Sequence, residues 1–202
     1  VDDSEYDDDS ENADDSEYVD DSEYADDSEY DEEDGAEDSG EDEPEPVDPA
    51  VYADTLLKYS VAVLDGNTNN LYDFAAGKKV IMLNYWGTFC GPCVQEMADL
   101  GDLERKYKDQ GFEIIGVTMD MLQDDGSYYD GVLDEAKDIV RDTEVSYPVV
   151  IAGLDLLNDL NIHAFPTTIF VDGEGNQISD RMEGARPAED WESVIRQYME
   201  SD

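Results

Sequence analysis

Basic residues are scarce in this sequence and absent from its first quarter. Its 202 residues include only 11 Lys and Arg against 56 Asp and Glu, which gives a formal net charge of −45 at pH 7. A chain with so few cations cannot neutralise a row of phosphates, and anionic lipid head groups repel it. We therefore expect no nucleic-acid partner and no docking on an anionic membrane surface.

Long apolar runs are missing as well. No stretch approaches the roughly 20 apolar residues that span a bilayer, so no transmembrane segment is predicted in this chain. The sequence begins with Val1 rather than Met, and we expect that an upstream segment, such as a signal peptide or a lipid anchor, preceded it. The lack of a membrane span is therefore no indication of a cytoplasmic protein.

Soft metal ligands are few: two cysteines, Cys90 and Cys93, and one histidine, His163. A Cys-x-x-Cys pair is typical of a redox centre or of half a zinc site. Structural zinc takes about four ligands, and a single histidine cannot complete that set in a monomer. The spacing favours redox chemistry, with no metal and no cofactor beyond the Cys90–Cys93 disulfide.

The acidic residues divide the chain into two parts. Of the 56 acids, 26 precede Val47, so the remainder carries 30 acids against 11 bases, a net charge of −19. Residues 1–30 repeat an acidic hexapeptide built on Asp-Asp-Ser-Glu-Tyr. Such a composition offers too little apolar surface to offset chain entropy, so residues 1–43 are predicted to form a disordered acidic tail. Residues 44–50 are predicted to be a proline-rich linker and residues 51–202 a single domain.

Strand and helix patterns alternate within residues 51–202. We expect a hairpin around Asp65-Gly66-Asn67, strands at 79–86, 112–119, 147–151, 167–171 and 176–184, and helices at 91–110, 132–142, 154–160 and 187–200. Strands joined by crossover helices, followed by a hairpin and a closing helix, predict an α/β three-layer domain with a mixed sheet.

The segment Cys90-Gly91-Pro92-Cys93 falls where a predicted strand ends and a helix begins. Free N–H groups and the helix dipole favour a thiolate at Cys90, and the thiolate is the attacking species in disulfide exchange. Cys93 lies one turn further along, near enough to close on Cys90. Pro92 is tolerated because an N–H in the first turn has no helical partner.

Two segments resemble one family. The run from Leu83 to Met97, Leu-Asn-Tyr-Trp-Gly-Thr-Phe-Cys-Gly-Pro-Cys-Val-Gln-Glu-Met, is similar to the active-site segment of the TlpA/ResA group of extracytoplasmic thioredoxin-like proteins. Phe-Pro-Thr-Thr at 165–168, followed by Asp-Gly at 172–173, resembles that group's second signature, and residues 64–67 and 71–74 also match. The resemblance covers about residues 56–199, but not the tail. It implies a thioredoxin-like three-layer fold with an N-terminal β-hairpin extension.

The resemblance also implies roles for particular residues. Cys90 would be the exposed nucleophile and Cys93 the buried resolving thiol. Pro166 would be a cis-proline packed against the pair, with the backbone around Phe165 pairing with a substrate chain. Glu96, three residues after Cys93 on the same helix, would relay protons to the resolving cysteine. Without the resemblance, Pro166 is only a loop proline and Glu96 only a solvent-facing glutamate.

The remaining candidates border this site. The expected substrate groove consists of Trp86, Gly91, Pro92, Phe165 and Thr167. Trp86 also suits simple core packing, and the two roles are compatible. Asn84 stands where thioredoxins usually have an aspartate, so we expect it to be structural and leave Glu96 as the acid–base candidate. His163 is favoured as a loop side chain over a residue that tunes Cys90.

These features predict a thiol–disulfide oxidoreductase that acts on protein disulfides outside the cytoplasm, as a monomeric reductase that is secreted or tethered to the outer face of the membrane. By resemblance, its substrates include apocytochromes c, and its electrons come from a membrane-bound or other thiol protein. One alternative is a disulfide-forming oxidase of secreted proteins. The other is that the polyanionic tail binds cations or cationic partners, with the domain as its anchor.

Deleting residues 1–43 separates the tail hypothesis from the enzyme hypotheses. We expect the truncated chain to reduce insulin disulfides as fast as the full chain does, because all the predicted redox residues lie after residue 83. The turbidity of precipitating insulin B chain measures this rate. A loss of activity on truncation would make the tail the functional part.

Overall fold

The computed structural model describes residues 48–64 and 66–201, and the acidic tail and residues 44–47 of the predicted linker lie outside these ranges. The last linker residues enter a short 3-10 helix, Pro49–Tyr52, whose final residue is buried. Two further 3-10 helices cover Leu71–Phe74 and Lys108–Gln110. The strands are β1 (Ser60–Val63), β2 (Thr68–Asn70), β3 (Val80–Trp86), β4 (Phe112–Thr118), β5 (Val149–Ala152), β6 (Thr167–Asp172) and β7 (Met182–Glu183). The helices are α1 (Gly91–Tyr107), α2 (Val132–Asp142), α3 (Leu154–Leu160) and α4 (Ala188–Met199).

The described strands form one mixed sheet in the order β2-β1-β5-β4-β3-β6-β7. The pairs β3–β4 and β4–β5 are parallel, whereas the other neighbours are antiparallel. The predicted α/β fold with a mixed sheet and an N-terminal hairpin is thus confirmed. None of the helices in the described residues is both long and apolar enough to cross a bilayer.

Strand β3 lies in the interior of the sheet. All seven of its residues are buried, and it pairs with β4 on one side and β6 on the other. Its side chains alternate between two apolar cores, as the pleat of a strand requires. Met82 and Trp86 pack in the core shared with α1, α2 and α4, while Leu83 and Tyr85 pack in the core shared with α3. The three layers follow from this alternation.

The predicted helices are found close to their expected bounds. Helices α2 and α3 cover the predicted residues without change. Helix α1 ends at Tyr107, and a 3-10 turn continues the chain to Gly111, whose φ of 92° needs the left-handed region that glycine tolerates. The closing helix α4 begins at Ala188, with Pro187 just outside it at the N-cap.

The predicted strand at 176–184 is wrong for most of its length. Only β7 (Met182–Glu183) and a single bridge from Gln177 to Val171 pair with β6. Between them the ladder is interrupted, because the N–H of Phe170 donates to the Ser179 hydroxyl (2.8 Å) instead of a backbone carbonyl. The strand β2, which the sequence pattern did not separate from the hairpin turn, is the other difference.

Gly116 in β4 is required by close packing. A Cβ at this position would stand 3.1 Å from Cε2 of Tyr147 and 3.5 Å from Nε1 of Trp86. We expect Gly116→Ala to lower the free energy of unfolding by about 1–3 kcal/mol, because the surrounding core must shift to admit the methyl group. Urea denaturation measures this, with Gly91→Ala as the control, since an added Cβ at Gly91 meets nothing within 4 Å. Equal stability of the two variants would contradict the packing argument.

Candidate active site

The two cysteines lie at the start of α1, a few residues after the end of β3. Cys90 is the N-cap residue of α1 and forms a disulfide with Cys93. The backbone N–H of Cys93 points at Sγ of Cys90, 3.3 Å away. On reduction the same N–H is placed to stabilise a thiolate at Cys90, together with the helix dipole.

Both sulfur-bearing residues are largely covered in the disulfide form. Cys93 is 1% exposed and Cys90 is 6% exposed, so Cys90 is the sulfur that an attacking group reaches first. It is nevertheless less exposed than the sequence predicted, because both cysteines pack in the core that contains Trp86. Trp86 thus packs in the same core as the two cysteines, and its place in the substrate groove stays a prediction. The intervening Gly91 and Pro92 are exposed.

The loop between β3 and α1 is held by a carboxylate and carries an exposed ring. Asp120, just after β4, accepts hydrogen bonds from the N–H (2.7 Å) and the hydroxyl (2.8 Å) of Thr88. Phe89 is 70% exposed and lies over Gly87, where a Cβ would collide with the ring. The ring also meets Phe165 edge-on, with centroids 5.7 Å apart. Phe89 and Phe165 thus form an apolar lip next to Cys90.

The segment before β6 forms the other side of the site. The peptide bond between Phe165 and Pro166 is cis, Pro166 is buried, and its carbonyl accepts the N–H of Gly184 at 2.8 Å. Thr167, predicted to line the groove, is 2% exposed, and its hydroxyl donates to the carbonyl of Ala164 at 2.8 Å. The Thr167 side chain therefore stabilises the loop before β6 and does not line the expected substrate groove.

Glu96, the residue for which the family resemblance implied an acid–base role, is buried in the structure. Only 4% of it is exposed. Its Oε1 accepts from Nδ2 of Asn84 at 3.2 Å. Its Oε2 accepts from Nε1 of Trp191 at 3.0 Å and from the backbone N–H of Arg186 at 3.2 Å. The carboxylate is thus hydrogen-bonded from β3, from α4 and from the loop before α4.

Burial and hydrogen bonding act on Glu96 in opposite directions. Removal from water raises the pKa of Glu96, because the charged form loses its hydration. The hydrogen bonds from Trp191, Arg186 and Asn84 oppose this rise and leave a net upward shift. A carboxyl group with a raised pKa, three residues after Cys93 on α1, keeps its proton to a higher pH than an exposed glutamate does, which is typical of an acid–base group.

Asn84 has a more specific part than the structural one expected of it. Its amide bridges Oε1 of Glu96 and the Thr168 hydroxyl, with both contacts at 3.2 Å. The residue on β3 therefore orients the acid on α1. His163 is exposed in the loop between α3 and β6, in keeping with a loop side chain.

Several residues of the site were not found from the sequence: Phe89, Asp120, Arg186 and Trp191. Phe89 could have been recognised because it directly precedes Cys90. The other three come from distant parts of the chain, and no local pattern marks them. Within residues 48–64 and 66–201, no three His, Cys, Asp or Glu side chains are grouped to hold a metal ion.

Comparisons with known proteins agree with this geometry. Residues 53–197 match the Redoxin family. The thiol-disulfide oxidoreductase ResA of Geobacillus kaustophilus is 32% identical over 148 residues, which are 73% of this chain and 75% of that protein. ResA of Bacillus thuringiensis subsp. konkukian is 29% identical over 139 residues, 68% of this chain and 73% of the relative.

A solved structure of a thioredoxin-family thiol:disulfide interchange protein from Chlorobium tepidum superimposes with a TM-score of 0.57. It is 22% identical and covers 70% of this chain and 92% of its own. A secreted disulfide oxidoreductase from Mycobacterium tuberculosis gives a TM-score of 0.56 at 12% identity, over 70% of this chain and 96% of its own. At these identities the two structures establish the thioredoxin-like fold alone.

Neutralising Glu96 is expected to change how stability depends on pH. Because the pKa of Glu96 is raised in the folded state, the folded chain keeps a proton that the unfolded chain releases, so this residue's contribution to stability is lost as pH rises through its folded pKa. In Glu96→Gln the side chain at position 96 does not titrate, so this decrease of stability with rising pH is absent. The difference in unfolding free energy between variant and parent should grow by up to about 1.4 kcal/mol per pH unit between the two pKa values.

Urea denaturation of the oxidised protein from pH 4 to pH 8 tests this expectation. The control is Glu183→Gln, which neutralises an exposed acid on β7. A pH-dependent gain in stability that appears in Glu96→Gln and not in Glu183→Gln supports its assignment to the buried acid. Parallel curves for Glu96→Gln and the parent chain would show that Glu96 titrates alike in the folded and unfolded states.

Proposed function

The chain belongs to the Redoxin family as a ResA-like thiol–disulfide oxidoreductase, and from this we propose that it reduces protein disulfides outside the cytoplasm. The observation that carries the proposal is the Cys90–Cys93 disulfide at the start of α1, with the Cys93 N–H directed at Sγ of Cys90. This arrangement favours a thiolate on the sulfur that substrate reaches first.

In the proposed cycle the reduced pair transfers two electrons to a substrate. The Cys90 thiolate attacks one sulfur of the substrate disulfide, a mixed disulfide forms, and the other substrate sulfur leaves as a thiolate that takes up a proton. The Cys93 thiolate then attacks Sγ of Cys90. The Cys90–Cys93 bond forms, the bond from Cys90 to substrate breaks, and the second substrate thiol is released.

Glu96 supplies the acid–base step of this proposal. Cys93 is buried, so its thiol loses its proton to a nearby base more readily than to bulk water. Glu96 follows Cys93 by three residues on α1, is buried with it, and has a raised pKa. We assign it to receive the Cys93 proton before the resolving attack and to return one when the disulfide is reduced again.

The substrate is an extended protein segment that lies across the apolar lip. Phe89 and Phe165 offer a hydrophobic surface beside Cys90, and the exposed Gly91 and Pro92 leave room for a polypeptide backbone. Apocytochromes c are one candidate substrate class. The electrons that restore the dithiol are proposed to come from a membrane-bound thiol protein, with this chain acting as a monomer that is tethered to the membrane or secreted.

The direction of electron flow is tested by the reduction potential of the Cys90–Cys93 pair, measured by equilibration with defined dithiothreitol or glutathione buffers. We expect a value near ~−270 mV or lower, as for thioredoxin, because the Gly-Pro dipeptide resembles that of reducing thioredoxins. A value near ~−120 mV would make the protein an oxidant of secreted thiols.

Two matched variants test the assignment of the cysteines in a separate trapping experiment. Cys93→Ser should accumulate a mixed disulfide with a disulfide-bonded peptide substrate, because the resolving thiol is gone. Cys90→Ser should not, because Cys93 is buried. If Cys93 were the residue that captured substrate, the proposed order of attack would be reversed.

A further inference from the structure

A tryptophan from the far end of the chain completes the hydrogen bonding of the buried acid. Trp191 lies on α4, is 0% exposed, and donates its indole N–H to Oε2 of Glu96 at 3.0 Å. The two residues are 95 positions apart in sequence. An indole nitrogen can only donate, so this contact favours the ionised carboxylate over the protonated acid.

The indole is held in place by its own neighbour. The guanidinium of Arg186 lies 4.8 Å from the centre of the Trp191 ring, and the backbone N–H of Arg186 donates to the same Oε2 at 3.2 Å. The ring is therefore stacked under a cation while its edge faces Glu96. The indole N–H of Trp191 therefore already points at Glu96 before the acid ionises. Little rearrangement of the surrounding side chains is then needed when the carboxylate becomes charged.

We propose that Trp191 is a positioning residue for the thiol chemistry, which holds the Glu96 carboxylate in place and ionised so that it takes the proton of Cys93. The proposal rests on the function proposed above. When Glu96 receives the proton, the Cys93 sulfur keeps its electron pair and attacks Sγ of Cys90. The Cys90–Cys93 bond forms as the bond between Cys90 and substrate breaks, and the substrate sulfur leaves with the other electron pair and is then protonated.

The other groups around Glu96 act differently. Asn84 donates to Oε1 from β3, and the positive charge of Arg186 also lowers the pKa of Glu96. Tyr147, just before β5, is buried within reach of the Glu96 charge, and burial raises the pKa of its phenol, so it stays neutral. Among the contacts that lower the pKa of Glu96 against the effect of burial, the hydrogen bond from Trp191 has the largest effect.

The variant Trp191→Phe keeps a ring in the core and removes the donor. In the full-length reduced chain, the pKa of Glu96, followed by 13C NMR of its labelled carboxyl group, should rise by about one unit, because a hydrogen bond to a charged group is lost. The resolving step should shift with it. Its rate should fall by up to about tenfold below the new pKa and return to the parent value above it.

The resolving step can be followed with a chromogenic aryl disulfide, which forms a mixed disulfide with Cys90 and releases a second aryl thiolate when Cys93 attacks. The matched control is Ile195→Ala, which removes the same number of buried heavy atoms from α4 without touching Glu96. It should lower stability but leave the pH profile in place. In a Glu96→Gln background, Trp191→Phe should have no effect on the profile.

The proposal is overturned if Trp191→Phe leaves the Glu96 titration and the rate profile unchanged, or if Ile195→Ala shifts both in the same way. Should Trp191→Phe fail to fold, benzothienylalanine placed at position 191 preserves the shape and removes only the N–H, and the same two readouts decide. If the parent chain shows no disulfide exchange at all, the proposed function fails, while the carboxyl titration still reports whether Trp191 controls Glu96.

Discussion

A carboxylate shut away from water has to be hydrogen-bonded from within the protein, and the arrangement of this domain reflects that requirement at Glu96. The acid stands on α1 and its donors come from β3, from α4 and from the loop before α4. The hydrogen bonds to the carboxylate therefore connect α1 to β3 and to α4. The same contacts make the acid tolerable in the core and fix its orientation on the helix that begins after Cys90.

Strand β3 supplies the other half of this geometry. It is buried along its whole length and paired on both sides, so its carboxyl end is a rigid platform. The loop that leaves it is fastened by Asp120 to the end of β4. Cys90 is thus presented at a helix start whose position depends on the sheet rather than on the loop, which suits a site that must meet substrate in one geometry.

The chemistry and the recognition surface lie in contrasting environments. The disulfide and its acid are embedded in the core that α1, α2 and α4 share, where a low dielectric strengthens each hydrogen bond to charge. The exposed ring of Phe89 and its partner Phe165 form an apolar feature on a domain with a strong excess of acids. In the function proposed above, substrate meets the small apolar lip, whereas the proton moves between buried groups.

Local patterns in the sequence were sufficient for much of the fold and for the redox pair. The bounds of α2 and α3, the buried strand β3 and the helix start at Cys90 follow from periodicity, from glycine and proline placement and from the Cys-x-x-Cys spacing. These signals act over a few residues, so a single sequence is enough to recognise them. Resemblance to a family added Glu96 and Pro166, which spacing alone left as ordinary residues.

Only the tertiary structure decided which groups surround the acid and where the last hairpin pairs. Arg186 and Trp191 are 90 and 95 residues from Glu96 in sequence. Asn84 lies on a different element, β3. No local sequence pattern therefore indicates these contacts. The strand expected at 176–184 is interrupted because the Ser179 hydroxyl takes the place of a backbone acceptor. Such outcomes depend on which side chains packing brings together, and burial then selects the hydrogen bonds that satisfy them.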